Sequence, residues 1–143
     1  MSYASMSNNI SHYNQVDRVS GVSEADPHRL VQMLLEGALG KIAVVKGLME
    51  RKEIAKKGEV ISQAVSIVAG LRSSLDLSAG GELAANLDNI YEYTERRLLE
   101  ANIKNDLTIL DEVAKLLNEI KAGWESIPAE LRNKTPASMS AAS

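Results

Sequence analysis

The sequence contains no cysteine, no phenylalanine, one tryptophan, four tyrosines and three prolines in 143 residues. Without cysteine it can form no disulfide framework, zinc ribbon or thiol nucleophile, which agrees with a reducing compartment. Aromatic residues make up 3% of the chain, few for a sheet protein, whose pleated surfaces are filled by aromatic and β-branched side chains. Yet 45% of the residues are hydrophobic, supplied by aliphatics and alanine, and with Glu and Lys these suit helices. The composition therefore points to an all-α chain and the length to one domain. No stretch approaches the ~18 to 20 apolar residues of a membrane span, and the start MSYASMSNNI has neither a basic cluster nor an apolar run. A soluble, unexported protein without membrane insertion is expected. Sixteen basic and nineteen acidic residues leave a net charge of −3, which argues against nucleic acid as the main partner, although Arg51, Lys52, Lys56 and Lys57 form a local basic cluster.

Chemistry-bearing motifs are also missing. His12 and His28 lack a second histidine at metal-ligand spacing, and there is no calcium-loop or Glu-x-x-His pattern. Neither GxxxxGK[ST] nor GxGxxG occurs; Gly80-Gly81 has no preceding strand and reads as a turn between helices. No G-x-S-x-G elbow accompanies the many serines. Glu92 and Arg96 have ordinary i,i+4 spacing, so a solvated ion pair is expected there, and Glu95, Asp111 and Glu112 fall on similar polar faces. The expectation is a protein without catalytic, cofactor or metal residues, and not an enzyme.

What is present is helical periodicity. Asp26-Pro27 reads as a helix start, with Asp as cap and proline at the first helical position, where its missing amide costs nothing. The first helix runs to about Glu50, and a second from Ile54 to about Leu75, ended by Asp76 and Gly80-Gly81. A third runs from about Glu82 to Ala101, a polar turn covers 102–106, and Asp106 caps a fourth that carries Leu107 to Trp124 and is stopped by Pro128. Short joints favour antiparallel neighbours, so the expected architecture is an antiparallel up-down four-helix bundle over 26–127. Residues 1–25 form a polar leader with spaced apolar residues, expected to act as a short N-terminal cap segment, and 128–143 a disordered tail.

Two helices are more apolar than one core-facing stripe requires. On a wheel of 100° per residue, the apolar arc of the first helix spans roughly 200° and that of the fourth about 180°. A thick core with a few exposed aliphatics is one explanation. The other is a groove that takes an amphipathic helix from a partner. Ile10 and Tyr13, three apart, would share a face in a helical turn and could shield such a groove, or could simply be packed permanently. A histidine phosphotransfer four-helix bundle is the alternative, since it needs only one exposed histidine; His28 sits awkwardly for that role, at a helix start. An enzymatic or ligand-carrying bundle would need convergent polar groups in a pocket.

Four segments carry a family resemblance: ADPHRLVQMLLEGAL (25–39), SLDLSAGGELAANL (74–87), YEYTERRLLEAN (91–102) and LDEVAKLLNEIKAGWESI (110–127). In order and spacing they resemble the flagellar secretion chaperone FliS family over about residues 10–127. Three positions depart from the family pattern: Asp26 for a usual serine, Leu35 for an aromatic and Thr94 for a common methionine. The resemblance implies a cytoplasmic export chaperone that binds the disordered C-terminal region of flagellin, prevents premature polymerisation and assists delivery to the flagellar type III export apparatus. An export-gate protein and an anti-sigma factor are further candidate partners. It also implies that Ile10 and Tyr13 belong to a movable cap. Leu34, Ile42, Leu87, Tyr91, Leu98 and Leu117 are the partner-binding candidates by face and motif, with Tyr91 and Asn102 also suited to structural roles.

Overall fold

The computed structural model describes residues 27–78 and 80–128. These form four helices, α1 (Pro27–Glu50), α2 (Ile54–Ser73), α3 (Gly81–Lys104) and α4 (Leu107–Glu125), and no strand. Each helix packs against its chain neighbours, and α4 returns against α1, so the four close into an all-α bundle of the expected up-down kind. Asp26, the expected cap of the first helix, lies outside the described residues, as does the 1–25 leader; of the 128–143 tail only Pro128 is described.

The joints are set by left-handed residues. After α1, Lys52 has φ 59°, and the amides of Lys52 and Glu53 donate back to the carbonyls of Met49 and Leu48. This is the bond pair of a Schellman motif, with lysine where glycine is usual. The start of α3 uses Gly81 at φ 58°, a conformation glycine adopts without steric cost. At the α3–α4 joint Asn105 takes φ 54°, and the Asp106 carboxylate accepts from the Thr108 amide at 2.9 Å, the cap expected from sequence. The expected turn at 102–106 is shorter in the structure, because α3 continues to Lys104.

The core draws on all four helices: Leu35, Ile42 and Val45 from α1, Ile61, Val68 and Leu71 from α2, Leu98 and Ala101 from α3, and Leu110, Val113 and Leu117 from α4. Two clasps between side chain and backbone pin its ends. At one, His28 Nε2 lies 2.7 Å from the Trp124 carbonyl and Trp124 Nε1 donates to the His28 carbonyl at 2.8 Å. The two rings stack at 5.0 Å and 8°. At the other, Lys57 Nζ, in the first turn of α2, donates to the Asn102 carbonyl and to Asn105 Oδ1, both at 3.0 Å. A cation is thereby placed against the C-terminal end of α3, where the helix dipole favours it.

Candidate functional site

The broad apolar arc of α1 divides in the structure. Val31, Leu35, Ala38, Ile42, Val45, Leu48 and Met49 are buried, whereas Met33 and Leu34 are half-buried and Leu30 and Val44 exposed. The arc of α4 divides likewise, with Ile109, Leu110, Val113, Leu117 and Trp124 inside and Leu107, Leu116 and Ile120 only partly covered. Most of each arc is core and a flank of it is surface, as a thick core with a few exposed aliphatics predicts.

A second apolar set lies where the start of α2 meets the end of α3. A Cβ on Gly58 would sit 4.0 Å from the Asn102 side chain, which brings those two turns together. Around that contact Ile54 is 58% exposed, Leu99 49% and Ile103 83%. At the opposite end of α3, Leu77 and Leu83 are exposed and Leu75 and Leu87 half-buried. A large aliphatic side chain left in water forgoes about 1.5–3 kcal/mol of burial, so these positions can reward whatever covers them.

The sequence-derived candidates fare unevenly. Leu34 and Leu87 reach the surface in part. Ile42, Tyr91, Leu98 and Leu117 are at most 2% exposed and serve the core, so a ligand on the outside of this bundle meets little of them. Periodicity places them on the apolar face, and the centre of that face is the part the neighbouring helices occupy. Ile10 and Tyr13 lie outside the described residues. Leu99, Ile103 and Ile54 were not among the candidates, although their apolar character on otherwise polar helix faces was a readable signal. Of the basic cluster, Lys57 is buried, while Arg51 and Lys56 pair with Glu53 and Glu59.

The charged groups close the seams between helices. Arg72 on α2 donates to Asp88 at 2.7 Å and to Glu95 at 3.0 Å on α3, and these bonds raise its pKa. Arg97 on α3 donates to Glu112 on α4 and to Glu100 at 2.7 and 2.6 Å, and Tyr93 donates to Glu112 at 2.9 Å. The bond from Arg97 holds the Glu112 carboxyl below the usual carboxylate range, and Lys104 and then Arg97 do the same for Glu100. Glu92 and Arg96 form the expected exposed ion pair at 2.7 Å. His28 is 3% exposed with Nε2 held by Trp124, the opposite of the accessible histidine that a phosphotransfer bundle requires.

The arrangement is therefore a four-helix bundle with apolar side chains left at its surface and ion-paired seams between its helices. Comparison with known proteins gives its family. The family described as flagellar protein FliS matches residues 8–131. The chain belongs to the FliS family. It is 51% identical over 115 residues to the flagellar secretion chaperone FliSB of Pseudomonas aeruginosa, covering 80% of this chain and 91% of that one. It is 40% identical over 125 residues to flagellar secretion chaperone FliS of Vibrio cholerae, covering 87% and 92%. With the Salmonella typhimurium FliS chaperone it shares 40% over 116 residues, covering 80% and 86%. The FliS match takes in all four helices and the segments quoted above. No helix among the described residues is long and apolar enough to cross a membrane.

Proposed function

We propose that this FliS-family chain is a cytoplasmic export chaperone that binds the disordered C-terminal region of flagellin in apolar surface grooves. By covering the segment that drives filament assembly it prevents premature polymerisation, and it assists delivery to the flagellar type III export apparatus without catalysing a reaction. The observation that carries the reading is the exposed aliphatic set Leu30, Val44, Ile54, Leu77, Leu83, Leu99 and Ile103, spread over a bundle of this family. Ordering a disordered ligand costs on the order of 2–5 kcal/mol, and covering even three such side chains at about 1.5–3 kcal/mol each offsets that. Flagellin's terminal segment would wrap the bundle as helical pieces, each laying anchors at three- and four-residue spacing into a groove.

The leader belongs to the same reading. Ile10 and Tyr13 are proposed to cover part of the groove in the free protein and to yield to flagellin. Among the earlier candidates Leu34 and Leu87 stay as groove positions, supported by their partial exposure. An export-gate protein is a further proposed partner for the hand-over step, and an anti-sigma factor a proposed competitor for the same surface.

Co-purification tests the reading. Flagellin should be retained by this chain, and flagellin lacking its last ~40 residues, a length that could form several helical turns, should be lost. Equal retention of the truncated form would contradict the binding mode. For the leader, Tyr13→Ala should change the affinity for a flagellin C-terminal peptide by more than about twofold, or ~0.4 kcal/mol. A smaller change removes Tyr13 from the cap.

A further inference from the structure

Asn102 serves the fold through its carbonyl, which accepts from Lys57 Nζ at 3.0 Å, while the left-handed cap of α3 falls to Asn105. Its side-chain amide makes no hydrogen bond among the described residues. The residue is half-buried, and no fully buried side-chain nitrogen or oxygen among the described residues lacks a partner, so both ends of the amide reach water. One side of it faces Gly58 of α2, where a Cβ would stand 4.0 Å from both Oδ1 and Nδ2. That is ordinary contact, so alanine would fit there and would favour the helix over glycine. Glycine in the second turn of α2 instead leaves that side of the amide open.

What surrounds the amide is apolar. Leu99, one turn before Asn102, and Ile103, next to it, are exposed on α3, and Ile54, one turn before Gly58, is exposed on α2. The charged side chains of these turns are engaged within the chain: Lys57 with Asn102 and Asn105, Lys56 with Glu59, Lys104 with Glu100. The seam therefore offers aliphatic surface with one neutral polar group among it, which suits an uncharged, apolar stretch of a partner. A primary amide presents a donor and an acceptor side by side, the complement of a peptide C=O and N–H. Within a helix those groups are already bonded to one another, so only an extended or turning stretch has both free.

We propose that the Asn102 amide grips the main chain of the flagellin segment where it crosses the α2–α3 seam in extended form, between two of its helical pieces, with the adjoining apolar side chains laid on Ile54, Leu99 and Ile103. The inference rests on the proposed function and adds to it a contact that fixes register and a local conformation for the ligand. Asn102→Leu keeps the shape of the side chain, removes both polar atoms and enlarges the apolar surface. A seam that binds by apolar contact alone would hold a flagellin C-terminal peptide at least as tightly after that change. The anchor predicts affinity about three- to tenfold weaker, with an unfolding midpoint no lower than that of the parent. In the isotope-labelled parent, the side-chain NH2 resonances of Asn102 should shift as the peptide is added. Affinity of Asn102→Leu within twofold of the parent or tighter, or resonances that stay in place, overturns the inference while the proposed function stands. A lowered unfolding midpoint also overturns it, because the amide then serves the fold. So does a loss that vanishes when one polar side chain of the peptide is replaced by alanine, since the amide then reads that side chain and not the main chain. Failure of the parent to bind the peptide removes the proposed function itself and the anchor with it.

Discussion

The residues that most repay substitution are those whose side chains bond to a distant backbone. Lys57 is 3% exposed and is the donor that satisfies the end of α3, so Lys57→Met keeps the stem's packing and removes two hydrogen bonds from a charged group. A loss of about 1.5–3 kcal/mol is expected, read as a lower midpoint in urea with unchanged slope. Lys52 is the opposite case. It holds φ 59° at the end of α1, which costs an L-residue roughly 1–2 kcal/mol, and Lys52→Gly should stabilise the bundle by about 1 kcal/mol in the same assay. Neither effect was legible in the sequence. No glycine marks the α1–α2 joint, and nothing in helical periodicity brings residue 57 to residues 102 and 105.

At the scale of helices, periodicity recovered nearly everything. Pro27, Asp106 and the apolar spacings set four helices whose observed limits differ from expectation by at most a few residues, because local propensity and capping agree with the tertiary arrangement. The same signal could not divide core from surface. Ile42 and Val44 are both apolar α1 residues, yet one is 1% and the other 50% exposed, a difference fixed by which neighbour lies beside each. The seams make a pH prediction. Glu112 and Glu100 have lowered pKa values through Arg97 and Lys104, so their contribution is present above the unfolded-state carboxylate range, about pH 4, and is lost as pH falls through the lower folded values. Acid titration followed by circular dichroism should show stability falling below about pH 4, and Glu112→Gln should flatten that slope. An unchanged slope would mean the Arg97 seam contributes nothing to it. Within α1, an added Cβ on Gly40 meets nothing within 4 Å, so Gly40→Ala should raise stability by about 1 kcal/mol.

At the scale of the whole molecule, a closed aliphatic bundle spends its best apolar residues on its own core and leaves apolar side chains exposed on a flank of α1, at the α2–α3 seam and at the far end of α3, the surface proposed above for flagellin. The family was legible in four sequence segments, and the kind of surface in the width of two helix faces; which side chains form that surface required the packing. The most direct measurement is calorimetric titration of a flagellin C-terminal segment into the full chain at several temperatures. Binding with a large negative heat-capacity change is predicted, the mark of extensive apolar burial coupled to ordering of the segment. No binding, or binding with a heat-capacity change near zero, would contradict the account.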